Sequence, residues 1–254
     1  TTPQLDAIAR DGTLFEAAYA QQPWTLSSHL TMLTGLHPAV HGASRERAAS
    51  PGATTLAEAL QAQGFATGGF VAQRVWMHPR YGHARGFERY EIGGSDARAN
   101  APAIVAWLGE QALARERDPR HRFFLFAHFY DAHSDANTDI PYSVPPPLRD
   151  RYVPDAEPWG RRGGTSLLLR LGASGSATQR DREFIRAYYD AGVRYVDEHG
   201  LGAIVAALRE HDLDRDTLLV VTSDHGEELF EHGHVLHGPP YEETARVPLV
   251  LRGA

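Results

Sequence analysis

Unbroken apolar runs alternate with amphipathic, helix-like stretches along this chain, and that alternation narrows the possible folds more than any other feature. Phe123-Phe124-Leu125-Phe126 reads as a strand buried on both faces, because a strand with one wet face alternates apolar with polar residues; Thr217 to Thr222 reads as a second fully apolar, buried strand and Val247 to Leu251 as a third fully apolar strand. Leu14 to Ala20 and Phe65 to Ala72 are further strand candidates. Between them lie helix signals. Thr2-Pro3 opens one helix, with a Thr cap, Pro at the first position and Gly12 as the stop. Leu26 to Thr34 is a short helix ended by Gly35, and Thr55-Leu56-Ala57-Glu58 has the capping-box spacing ahead of a helix to Gln63. Ala101 to Arg115 and Thr178 to His211 complete the set, the latter with a break expected near Gly200-Leu201-Gly202. Helix and strand in this order predict an α/β sandwich with a mostly parallel central sheet flanked by helices. One domain is expected over residues 1–254, with residues 135–175, rich in Pro, Gly and Arg, as a surface excursion.

Composition closes off several chemistries. The chain has no cysteine, so disulfides, thiolate metal sites and a cysteine nucleophile are excluded. All 25 basic residues are arginine, so any mechanism that needs a lysine is excluded too. The formal net charge of −7 argues against a nucleic-acid binder, and Arg161-Arg162-Gly163-Gly164 reads as a solvated loop. No apolar run approaches the roughly 20 residues of a membrane span. The chain opens at Thr1-Thr2-Pro3 and stops after an apolar run, so it is expected to be a piece of a longer protein.

Three segments carry candidate chemistry. In the first, the apolar run ends in Thr222-Ser223-Asp224-His225-Gly226-Glu227. Sites in open α/β sheets assemble at the carboxyl ends of strands, and a carboxylate beside an imidazole offers metal ligands from one turn. Gly226 is expected to let the backbone bend there. His232, His234 and His237 follow closely; the first two read as loop histidines, and His237 as a site residue. In the second, Pro23-Trp24-Thr25-Leu26-Ser27-Ser28-His29 places hydroxyls where extended chain enters a helix, whose free N–H groups suit an anionic ester and an alkoxide; taken alone, Thr25 or Ser27 reads as an N-cap. In the third, Phe126-Ala127-His128-Phe129-Tyr130-Asp131-Ala132-His133 sets polar groups after a buried strand. His133 can donate to a charged oxygen or to a leaving group, whereas His128 reads as a satisfied core histidine.

Taken in order, these segments resemble the sulfatase family of the alkaline phosphatase superfamily. Leu33-Thr34-Gly35-Leu36-His37-Pro38, Arg85-Gly86-Phe87-Glu88, Asp131-Ala132-His133, Thr222-Ser223-Asp224-His225-Gly226-Glu227 and Tyr241-Glu242-Glu243 with Arg246-Val247-Pro248-Leu249 carry the resemblance. It implies a metal-dependent hydrolase of sulfate esters with an alkaline phosphatase-like fold. It puts Thr25 at the nucleophile position, Asp224, His225 and Thr25 at metal-ligand positions, and His133 and His237 against the substrate anion. The implied cofactor is a divalent metal, Ca²⁺ first, with Mn²⁺ or Zn²⁺ compatible with the histidines; the implied partner is a small-molecule or glycan sulfate or phosphate ester.

The chain departs from the family pattern in three places. The Cys/Ser-x-Pro-x-Arg motif that yields formylglycine is replaced by Thr25-Leu26-Ser27-Ser28-His29. The sulfate-clamping lysines are absent, and His237 falls where one of them lies. The strand that carries the first metal-binding carboxylates, ahead of Thr2-Pro3, is missing. A threonine nucleophile resembles the phosphodiesterase branches of the superfamily, so a phosphodiesterase or phosphomonoesterase is the alternative reading, and a non-catalytic anion-binding relative is a third. The enzyme readings require Thr25, Asp224, His225 and His133 to converge at one edge of the sheet.

Overall fold

Thr55 and Glu58 make the capping box that their spacing predicts: the Glu58 amide donates to Thr55 Oγ1 at 3.1 Å and the Thr55 amide donates to Glu58 Oε2 at 2.8 Å. In the computed structural model every residue is described except 73, 74, 95, 135–140, 143, 147, 154–162 and 254; Arg161 and Arg162 therefore lie outside the described residues. The elements run α1 (Pro3–Arg10), β1 (Thr13–Tyr19), α2 (Thr25–Thr34), α3 (Pro38–His41), α4 (Leu56–Gln61), β2 (Phe65–Val71), β3 (Arg89–Ile92), α5 (Ala97–Arg117) and β4 (Arg122–His128). They continue with α6 (Leu148–Tyr152), α7 (Gly164–Ser174), α8 (Gln179–Tyr195), a π-helical turn (Val196–Leu201), α9 (Gly202–Glu210), β5 (Leu219–Thr222), β6 (Glu228–Leu229), β7 (Val235–Leu236), α10 (Glu242–Ala245) and β8 (Arg246–Arg252).

The fold is α/β, and among the described residues its parallel part is the sheet β3-β2-β4. A second sheet, β1-β8-β5, is antiparallel, and β6 and β7 form a short hairpin-like pair. β4 is covered on both faces, as its apolar run predicts. Phe123, Leu125 and Ala127 pack against the cluster of Phe70, Ile104, Trp107, Leu108, Ile204 and Leu208 from β2, α5 and α9. The alternate residues face α2 and the β3 side: Phe124 stacks on Phe87 at 5.7 Å, and Phe126 and His128 meet the His29 ring at 6.0 and 4.8 Å. α9 reaches the second sheet as well, where Val205 packs with Ile8 of α1 and Val250 of β8.

Two sequence expectations are corrected here. β5 is not buried on both faces: Leu219 and Val221 pack inward, while Val220 is 51% exposed. It is an edge strand of an antiparallel sheet, and an apolar run does not by itself distinguish an edge from a centre. Nor does Thr2 cap α1. Its hydroxyl donates to Asp6 Oδ1, and the amides of Gln4 and Leu5 are taken by Asp197, 3.0 and 2.9 Å away. The carboxylate also faces the positive end of the helix dipole. Asp197 stands in the π-helical turn, which replaces the break expected near Gly200 and lets α8 run on into α9 without a gap.

Part of the 135–175 stretch is interior rather than surface. Tyr142, Leu167, Leu168 and Leu171 are buried and join Ile185, Tyr188 and Phe230 in one cluster. α7 presents an apolar stripe, so burial of each of these leucines contributes on the order of 1.5–3 kcal/mol. No helix among the described residues is long and apolar enough to cross a membrane.

Candidate active site

Three chain segments meet at the carboxyl end of β4: the start of α2, the turn after β5 and the loop after β4. Trp24 occupies the N-cap of α2, and Thr25 is its first helical residue. Thr25 is therefore not an N-cap, and no side chain caps the first turn there. The first-turn amides stay available to an anion. Ser28, one turn further along α2, donates its hydroxyl to the Asp224 carbonyl at 2.6 Å, which locks the helix onto the turn after β5.

Gly226 has a role other than the expected bend. Its φ is not positive; the requirement is space, since a Cβ there would sit 2.0 Å from the Glu243 carbonyl oxygen. The Gly226 amide donates to the Thr244 carbonyl at 2.8 Å, so the turn is pressed against α10 and the Asp224-His225 pair is held from that side.

Thr25, Asp224 and His225 converge, as the enzyme readings require. Thr25 Oγ1 lies 3.4 Å from His225 Nε2, and Asp224 Oδ2 lies 3.3 Å from the same nitrogen. His225 donates through Nδ1 to the Gly226 carbonyl at 2.8 Å, which fixes its tautomer and leaves the Nε2 lone pair toward the other two groups. All three residues line a cleft of about 90 Å³, together with His128, His133 and Tyr189. Thr25 and His225 are buried, 3% and 8% exposed.

His133 joins the cluster, donating through Nδ1 to the Ser134 carbonyl at 2.7 Å and stacking on Tyr130 at 4.2 Å. His237 packs its ring on His225 at 4.1 Å and meets His133 edge-on at 5.1 Å. Its Nδ1 donates to Glu227 Oε2 at 3.0 Å. His232 and His234 do not join; they stack on Tyr241, and His232 pairs with Glu243. His128 lines the cleft, and its Nδ1 has no hydrogen-bond partner, so it is not the satisfied core histidine expected.

Four further residues belong to the site and were not singled out from sequence. His29 donates through Nδ1 to the Thr25 carbonyl at 2.7 Å and sits 3.4 Å from Asp224 Oδ2. Its i+4 spacing from Thr25 on one helix face was the available signal. Glu227, two residues after His225, closes the Thr222–Glu227 segment but was given no role of its own, and Tyr189 lies on α8, outside the three segments that carried candidate chemistry. Tyr142 gave no signal, because its partner Glu227 is 85 residues away.

The electrostatics follow from burial among imidazoles. Burial raises the Asp224 carboxyl, but the surrounding His29, His225, His128 and His237 overcome it and hold the group at about 2. Burial pulls His128 down to about 3 and lowers His29 and His133. His237 is the exception: burial lowers it, yet its bond to Glu227 and that carboxylate's charge produce a net rise. Tyr189 is pushed up to about 12 by burial, then by Glu227.

The donor set fits a divalent cation. Asp224 Oδ2 is buried without a hydrogen-bond partner, a costly state for a carboxylate oxygen unless a cation meets it. His225 Nε2 lies 3.3 Å from that oxygen and 3.4 Å from the Thr25 hydroxyl, which brings the three donors together. Ligand atoms of His225, Glu227 and His237 also lie within 4.8 Å of one another and could hold a metal ion; His225 is common to both sets.

A model of the sulfatase family matches residues 1–254. The chain is a member of the sulfatase family. Over 98% of its length this sulfatase-family chain is 23% identical to an arylsulfatase of Clostridium perfringens, of which it covers 63%. It is 26% identical, again over 98% of its length, to mouse iduronate 2-sulfatase, of which it covers 54%. The chain thus spans just over half to three-fifths of those relatives. Its fold is shared with the phosphonate monoester hydrolase of Agrobacterium radiobacter, with a TM-score of 0.72 and 22% identity, covering all of this chain and 63% of that one.

Proposed function

We propose that this chain forms the catalytic domain, over residues 1–254, of a divalent-metal-dependent sulfate ester hydrolase in which Thr25 is the nucleophile. The observation that carries the reading is the meeting of Thr25 Oγ1, His225 Nε2 and an Asp224 Oδ2 that accepts no hydrogen bond, joined by contacts of 3.4 and 3.3 Å. Asp224, His225 and Thr25 would hold the cation, which when bound lowers the pKa of the Thr25 hydroxyl and offsets charge on the transferred oxygens. The oxygen donors suit Ca²⁺, the cation implied by family resemblance, and the imidazole also admits Mn²⁺ or Zn²⁺.

The chain's own groups then divide the work. Thr25 Oγ attacks sulfur, the S–O bond to the leaving group breaks, and the group becomes a sulfate ester of Thr25. The first-turn amides of α2 face the anion, and His29 steadies the Thr25 backbone through its carbonyl. The proton that Thr25 loses passes through solvent to His133 Nε2, whose Nδ1–H is already given to the Ser134 carbonyl, and from that nitrogen to the departing oxygen; His237 contacts the anionic oxygens. Water then cleaves the Thr25 ester and restores the hydroxyl.

Phosphate and phosphonate esters form a second reading. It is favoured by the threonine itself: the formylglycine motif is replaced, and an unmodified hydroxyl attacking phosphorus gives the same sequence of steps. The test is hydrolysis of aryl sulfate, bis-aryl phosphate and aryl phosphonate by the full-length protein with Ca²⁺, Mn²⁺ or Zn²⁺. Activity that survives both Thr25→Ala and Asp224→Ala unchanged rules the assignment out.

A further inference from the structure

The 135–175 stretch sends one side chain back into the surroundings of the cleft. Tyr142 is fully buried and holds a φ of 52°, a left-handed conformation uncommon for a residue with a bulky side chain. Its hydroxyl donates to Glu227 Oε1 at 2.8 Å. The second carboxylate oxygen, Oε2, accepts from His237 Nδ1 at 3.0 Å. The Glu227 side chain is only 4% exposed, so both oxygens are met by protein donors in a place that bulk water does not reach. Such fully satisfied networks specify one geometry.

We propose that Tyr142 and Glu227 are positioning residues that act through His237. The chain from Tyr142 through Glu227 fixes the His237 proton on Nδ1 and leaves Nε2 as the only ring nitrogen able to contact substrate. The ring is held in place as well, tilted against His225 at 4.1 Å and meeting His133 edge-on at 5.1 Å. The arrangement also gives Glu227 a task other than metal ligation, although it stands in the His225, Glu227, His237 group. The 135–175 stretch thereby becomes part of the site's framework: its buried tyrosine determines which nitrogen of a distant histidine faces the ester.

The effect on rate rests on the hydrolase reading, and the test separates the two. The full-length protein is labelled with ¹⁵N-histidine, and the His237 tautomer is read from multiple-bond imidazole ¹H–¹⁵N correlations above the titration of the ring, with His237→Ala supplying the assignment. The Nδ1–H form is expected in the parent, with a shift toward Nε2–H in Glu227→Gln and a mixture in Tyr142→Phe. An Nε2–H parent, or a tautomer unchanged in Glu227→Gln, overturns the proposal whether or not the protein is active. In aryl sulfate hydrolysis, Tyr142→Phe is expected to lower kcat/KM about tenfold in the parent and less than twofold in the His237→Ala background. Equal losses in both backgrounds would mean general packing and would also overturn it. A parent no more active than Thr25→Ala on every ester defeats the hydrolase reading alone, and the tautomer then decides the hydrogen-bond chain.

Discussion

The Thr25 hydroxyl lies 3.4 Å from His225 Nε2, across 200 residues of sequence. One comes from the first turn of a helix and the other from the turn after an edge strand, and the Ser28 bond to the Asp224 carbonyl pins the two together. If Thr25 is the nucleophile, Thr25→Ala should lower kcat on aryl sulfate or aryl phosphonate by roughly a thousandfold or more, with little change in thermal stability. Thr25→Ser should keep part of the activity. Steady-state kinetics with a melting curve for each variant check both statements.

Cation binding should be visible without turnover. A ligand that binds only the folded state at a hundred times its Kd stabilises it by about 2.7 kcal/mol. Chelator-treated protein should therefore melt lower, and Ca²⁺, Mn²⁺ or Zn²⁺ should restore the melting temperature, the ion giving the larger shift at equal concentration being the better fit. Asp224→Ala should abolish that response, and a melting curve indifferent to chelator and metal alike would contradict the metal assignment.

His29 supports the site from inside α2, bonded to the Thr25 carbonyl and close to Asp224. Replacing it with alanine should reduce kcat/KM by about 10- to 100-fold, as loss of an outer-shell partner does. His29→Asn, which keeps a donor near that carbonyl, should recover part of the loss. Kinetics on the two variants side by side distinguish the bond from simple filling of space.

Asp131 should make stability pH-dependent. Its Oδ1 accepts from the Ala97 amide at the start of α5, while Oδ2 has no partner. Burial, assisted by the nearby Asp96 charge, raises it from 3.8 to about 6. Between those values the folded protein holds a proton that the unfolded chain has released, so stability falls as pH rises from about 4 to about 6 and then levels off. That rise in pKa corresponds to roughly 3 kcal/mol. Denaturant unfolding across that range should show this slope, and Asp131→Asn should flatten it.

Local chemistry was readable in the sequence wherever partners are near one another along the chain. The Thr55–Glu58 box, the stop of α2 at Gly35 and the Asp224-His225 turn all depend on neighbours within a few positions. β4 was readable because α5, α9 and α2 cover both its faces. β5 was misjudged because the same apolar composition serves an edge strand with one face exposed. Thr2 lost its capping role to Asp197, 193 residues from Gln4, and Tyr142 found Glu227 across 85. No local pattern encodes pairings of that kind, and they arise only once the helices have packed.

The π-helical turn at Val196–Leu201 carries a consequence that runs against intuition. It holds an additional residue in its turn, and that surplus aims Asp197 at the amides of Gln4 and Leu5. Deleting one residue there would restore a regular α-helical repeat and favour more ideal helix geometry. The same deletion would withdraw the Asp197 carboxylate and leave the amides of Gln4 and Leu5 without their acceptor. A more perfect helix should thus give a less stable protein, with the amide protons of the first helix exchanging soonest.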